Sequence, residues 1–135
     1  MANTAEIGRI DPRVKCVVLL DGPVFLSDYP ELAKSGVGKP VLIVNSPTSG
    51  EDAESPVLFQ RASHDAVWFY IDGAEHLTFV DAPWVVQPTS RSRRAAATIT
   101  ACLLSFFNRY LQGQDDHLLD APAELFPEII RFQRK

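Results

Sequence analysis

Three apolar runs, each leaving into a turn through a polar residue, set the plan of this chain. They are Val14 to Leu20 (interrupted by Lys15), Val41-Leu42-Ile43-Val44-Asn45, and Val67-Trp68-Phe69-Tyr70-Ile71. Their near-continuous apolarity, rich in β-branched and aromatic side chains, predicts strands covered on both faces. Helical stretches alternate with them. Ala2, Ala5, Glu6 and Arg9 are helix formers, stopped by Asp11-Pro12. One helical turn is expected at 30–34, and Ser55-Pro56 opens a short helix to about Ser63, proline being tolerated at the first helical position. Ser90 or Ser92 opens the longest helix, which runs to about Gln112 and stops at Gly113. Ile99, Leu103, Phe106, Phe107, Tyr110 and Leu111 recur along it at helical spacing and mark a core-facing stripe. Residues 22–39 and 46–54 read as loops, and Pro83 and Pro88 bracket an irregular segment bearing Trp84. The tail from Asp115 to Lys135 is mostly polar, with a last apolar patch from Phe126 to Ile130.

Alternating strands and helices predict the α/β class, with three parallel strands joined by right-handed crossovers. The chain reads as one domain, residues 1–113 forming the sheet-and-helix core and 114–135 a C-terminal tail. Three strands are few for an independent doubly wound domain, so the pattern reads as half of a sheet. Strand 14–20 then lacks a neighbour on one side. Its unpaired backbone forms an apolar edge that invites self-association.

Composition narrows the function classes. The 135 residues are 46% hydrophobic and 22% charged, which permits an apolar core. A net charge of −4 argues against a nucleic-acid partner, and the basic cluster Arg91, Arg93 and Arg94 reads as a solvated helix face. No apolar run reaches the length that spans a bilayer. The N-terminus lacks the basic-then-apolar pattern of a signal peptide, which fits a cytoplasmic setting. Cys16 and Cys102 fall in a strand and a helix and are expected as buried free thiols; no Cys/His spacing suggests zinc.

The candidate chemistry lies at two strand ends. Val67 to Ile71 leads into Gly73-Ala74-Glu75-His76-Leu77-Thr78-Phe79, which places a histidine just past the carboxyl end of a strand. Open α/β sheets present their chemistry at that edge. Val17 to Leu20 leads in the same way into Asp21-Gly22-Pro23. An acid followed later by a histidine, each at a strand end, makes two thirds of a Ser–Asp–His triad in the α/β-hydrolase order. Asp21 is one partner for His76; Glu51 or Asp52, in the loop after the second strand, is the other choice. Ser46 also follows a strand end, without the glycines of a nucleophile elbow, and Cys16 points from mid-strand into the core. Glu75 and Asp81 read as solvent-facing or capping residues, His64 and His117 as surface ones.

Four stretches extend this pattern: Asp11 to Gly22, Lys39 to Ser46, Gly73 to Asp81, and Ser105 to Gly113. In order and spacing, and over nearly the whole chain, they resemble the C-terminal half of an α/β-hydrolase. The group they resemble is that of the platelet-activating-factor acetylhydrolase and dienelactone-hydrolase-like lipases and esterases. The resemblance implies Asp21 as the catalytic acid and His76 as the base. It also implies a nucleophilic serine in a G-x-S-x-G elbow roughly twenty residues before the acid. Counting back from Asp21 reaches Met1, so that serine is expected just upstream of this sequence, and the chain alone is expected to be inactive. One oxyanion-hole donor would be the N–H following that serine. The implied substrate is a small or lipid carboxylic ester, with no metal or organic cofactor. Phe25, Leu26, Trp84 and Val85, in loops at the same sheet edge, are candidates to line its pocket. The other reading is a non-catalytic α/β module that binds a partner chain or a small ligand.

Overall fold

The computed structural model describes residues 1–48, 54–62, 65–80 and 89–135. The three apolar runs form strands β1 (Val17–Leu20), β2 (Val41–Asn45) and β3 (Ala66–Ile71). Around them lie helices α1 (Ala2–Ile10), α2 (Pro30–Ser35), α3 (Ser55–Arg61) and α4 (Ser90–Phe107). β1 pairs with β2 and β2 with β3, both parallel, in register Val17 with Val41 and Val41 with Ala66.

The tail departs from expectation. Ile129–Arg134 forms a further strand, β4, antiparallel to β3, so the sheet is mixed and four-stranded in the order β1-β2-β3-β4. An all-parallel, three-stranded sheet is therefore only part of the architecture. The short alternating run Ile130, Phe132, Arg134 belongs to an outer strand with one face in solvent, which tolerates polar residues that a central strand does not. Its register slips between Trp68 and Tyr70, where Arg131 takes a positive φ of 51° and lays its guanidinium 5.1 Å from the Tyr70 ring centre.

Both faces of the sheet are packed. Val17, Leu19, Val41, Ile43 and Trp68 face the side of α1 and α3, where Ala2, Ala5, Leu58 and Phe59 meet them. Leu42, Val44, Val67, Phe69 and Ile71 face α4, against Ile99, Cys102 and Phe106. The side chains alternate between faces with the period of a strand. β2, covered on both sides, is buried throughout.

α4 begins on a reciprocal cap. The Thr89 hydroxyl accepts from the Ser92 N–H at 3.0 Å, and the Ser92 hydroxyl from the Thr89 N–H at 3.0 Å. Its buried face is Ala95, Thr98, Ile99, Cys102, Ser105 and Phe106. Phe107 and Leu111 of the expected stripe are exposed, which corrects that expectation; Phe107 lies at the edge of the buried face, and at Leu111 the cause is local. Asn108–Gln112 continues as a wider π-helical turn, which changes the angular step per residue. That turn brings Arg109 and Tyr110 to Asp65, at 3.4 and 2.7 Å, at the start of β3. Gly113 closes it in the left-handed conformation, as its position predicts. Among the described residues, no helix is long and apolar enough to cross a membrane.

Candidate active site

Asp21 leaves β1 in the left-handed region, with φ of 43°, while its N–H makes the last rung to the Val44 carbonyl at 2.8 Å. Aspartate accepts that backbone better than most residues. The carboxylate is held at the end of the sheet, with no side-chain surface left to water. Its Oδ1 accepts the Ser46 N–H at 2.5 Å, and its Oδ2 lies 3.0 Å from His76 Nδ1. Asn45, the last residue of β2, accepts the Trp68 indole N–H at 2.9 Å, which fixes the strand end that presents Ser46.

His76 arrives from β3 through a compact turn. Gly73 takes φ of 78°, and the buried Ala74 donates its N–H to the Ile71 carbonyl at 3.1 Å. His76–Phe79 forms a 3-10 turn. Within it the Thr78 hydroxyl accepts the Glu75 N–H at 2.9 Å, and the Thr78 N–H donates to the Glu75 carbonyl at 2.8 Å. From outside, Arg91 of α4 reaches both Asp72 carboxylate oxygens at 3.1 Å. It packs so close to Gly73 that a Cβ there would lie 1.9 Å from Arg91 Nε. Only glycine suits that turn.

The chemistry follows from the contact. A carboxylate only accepts, so the imidazole facing it carries its proton on Nδ1 and turns the Nε2 lone pair outward. The ring is 72% exposed, and Nε2 is therefore a base open to an incoming hydroxyl. Two hollows of about 440 Å³ each flank the turn. One has Thr48, Asp72, Glu75, Leu77, Thr78 and Arg91 in its wall; the other has Leu20, Phe79, Ile99, Thr100 and Leu103, again with Thr78, and both walls mix polar and apolar surface.

Asp21 and His76 are thus brought together although 55 residues separate them in sequence. Phe25 and Leu26 are not at the pair. Phe25 is exposed, and Leu26 is buried with its N–H donated to a Glu54 carboxylate oxygen at 2.5 Å. Leu26 instead borders a separate hollow of about 630 Å³ between α2 and α3. Trp84, Val85, Glu51, Asp52, Asp81 and His64 lie outside the described residues. Ser46 is fully buried, its hydroxyl 3.2 Å from that of Thr48, so its role at the site is through its backbone. His117 joins the tail, 3.1 Å from Asp120. Cys16 is half-buried and precedes β1, and Cys102 is buried; burial raises both thiols above their ordinary range.

Three contributors were not visible as site residues in the sequence: the Ser46 N–H, Thr78, and the Arg91–Asp72 pair. A backbone donor leaves no mark on residue identity. The Glu-x-x-Thr spacing before Phe79 is a usable signal for the second, because it allows a cap-type bond across one turn. Among the described residues, no group of three or more His, Cys, Asp or Glu could hold a metal ion. A comparison of the chain with protein-family models finds no match, and neither does a comparison with curated proteins.

Proposed function

We propose that this chain supplies the acid and the base of a Ser–Asp–His carboxylic ester hydrolase of the α/β-hydrolase kind, with the nucleophilic serine contributed from sequence upstream of Met1. The observation that carries the reading is the 3.0 Å contact between His76 Nδ1 and the buried Asp21 carboxylate, with Nε2 left open. In the reaction His76 Nε2 takes the serine proton as the hydroxyl oxygen attacks the ester carbonyl. It then returns that proton to the departing alcohol, and in a second round it activates water to release the acid. General base catalysis of this kind is worth ~10²–10⁴-fold. Asp21 holds the ring in the useful tautomer and balances the imidazolium. The two mixed-polarity hollows that flank the histidine turn are the spaces nearest to it for the acyl and alcohol portions of an ester.

The test is hydrolysis of a short-chain p-nitrophenyl ester by a protein extended through the elbow. His76→Ala is expected to abolish the extended protein's activity. An extended protein as active with alanine as with histidine refutes the assignment.

A second reading, a non-catalytic module that binds a partner chain, is favoured by one observation: β1 ends the sheet, with no strand on its outer side among the described residues. An extended protein that folds yet shows no hydrolysis favours this reading.

A further inference from the structure

At the end of the sheet the Asp21 carboxylate is the one side-chain hydrogen-bond partner of the His76 ring among the described residues, and the rest of its placement comes from its own turn. The ring is mostly in solvent, and the chain reaches it through Gly73, whose backbone has the freedom to swing. Between Gly73 and the ring, Ala74 is anchored by burial and by its bond to Ile71. Beyond that point the turn is closed by Thr78, whose hydroxyl holds the Glu75 N–H while its own N–H holds the Glu75 carbonyl. These two bonds bracket His76. The residue that makes the first is buried, and the bond itself is part-buried.

We propose that Thr78 is a positioning residue for the imidazole: its hydroxyl fixes the turn that aims His76 Nδ1 at Asp21, and so sets which ring nitrogen carries the proton. The proposal rests on the Asp–His reading of the site, and it assigns Thr78 a part in that site beyond packing. A threonine is suited to the place. The residue lies between the two hollows, beside Leu20, Phe79 and Ile99 on one side, and its hydroxyl turns back to the backbone. β-Branching restricts χ1, so the two branches are placed together. The Glu75 N–H would otherwise be left without this acceptor, and a turn that loses such a bond loosens enough to repopulate its alternatives.

The branches can be removed one at a time. Thr78→Val keeps the shape and loses the oxygen, Thr78→Ser keeps the oxygen and loses the methyl, and Thr78→Ala loses both without overpacking. The readout is the tautomer of His76 in the isotope-labelled chain, taken from proton–nitrogen correlations of the imidazole at pH ~8.5, where an ordinary ring is neutral. His76→Gln identifies the signal. Wild type and Thr78→Ser are expected to show the Nδ1–H tautomer. Thr78→Val and Thr78→Ala are expected to lose about half or more of it to the Nε2–H form, because only the contact at the other nitrogen selects between them. Valine and alanine variants that keep the wild-type tautomer overturn the proposal. So do variants that lose their folded spectrum altogether, which would make Thr78 a stability residue. The underlying site reading fails differently: wild type itself would lack the Nδ1–H form, or Asp21→Asn would leave it unchanged.

Discussion

At the residue scale, Asp21 shows how one side chain can be structural and chemical together. One carboxylate oxygen closes the end of β2 through the Ser46 N–H, and the other orients the imidazole. Asp21→Asn separates the two. Asparagine tolerates the left-handed backbone, and its carbonyl can keep the Ser46 bond. Its amide then faces His76 as a donor, which forces the ring proton onto Nε2, the nitrogen that should accept. The expected outcome is a loss of ~10⁴-fold in turnover by the elbow-extended protein, with unfolding changed far less, measured by ester hydrolysis and denaturant titration. The thiols make the complementary case. Burial, followed by the charge of Asp116, pushes Cys102 up from 9.0 to about 12. Because the folded value is raised, the neutral thiol's contribution is complete below pH 9 and is lost as pH climbs toward 12. Stability should therefore decline across that alkaline window, and Cys102→Ala should flatten this part of the decline. In the native chain a thiol reagent should modify the half-buried Cys16 long before Cys102, read by mass spectrometry.

At the scale of elements, Glu128 governs whether the tail is part of the sheet. It sits one residue before β4; its carbonyl accepts the Asp72 N–H at 2.7 Å, and its carboxylate accepts from the Thr98 hydroxyl at 2.5 Å and from Arg94 at 3.2 Å. Burial alone would raise its carboxyl, but Thr98 and Arg94 outweigh burial and leave it below its ordinary 4.5. The stabilisation from a lowered folded value is present above pH 4.5 and is lost as pH falls below 4.5 through the folded value, so acid below that point should loosen the tail. Glu128→Ala should cost ~1–3 kcal/mol, seen as a lower unfolding midpoint and faster amide exchange in β4. Legibility follows the same physics. β2 was readable to the residue because four consecutive apolar residues, buried on both faces, run into Asn45 at the strand end. Asp21 and His76 were readable because both stand at strand ends, where the chain turns. β4 was hidden because a half-solvated outer strand carries arginines and glutamine, and its place depends on partners such as Thr98 that lie far away in sequence. The exposed Leu111 misled for a related reason: helical spacing cannot register a π-turn that displaces the end of the stripe.

At the scale of the whole molecule the unevenness of β1 has consequences. Toward α1, Val17 and Leu19 are 3% and 1% exposed; toward α4, Cys16, Val18 and Leu20 are only half-buried. Beside them Leu103 is half-buried and Leu104 exposed. An open backbone edge and an open apolar flank thus coincide, and Val17–Leu20 itself contains no charge or proline to deter another strand. A second copy is the natural occupant. Two β1 edges related by a twofold perpendicular to the sheet run antiparallel, so donors meet acceptors, and each α4 stays on the same face beside the gap. A twofold along the strand would set identical groups opposite one another and cannot pair. Covering the open halves of Val18 and Leu20 contributes ~1 kcal/mol each, set against an association cost of ~4 kcal/mol or more. The dimer should therefore be weak and populated only at high protein concentration. Sedimentation of residues 1–135 should show mass rising with concentration, and the unfolding midpoint should rise with it. Val18→Lys places a charge on the open flank without entering the α1 core; it should restore a monomer whose midpoint ignores concentration. A wild-type chain that stays monomeric at every concentration and unfolds in one sharp transition would mean that this edge is satisfied within a single copy.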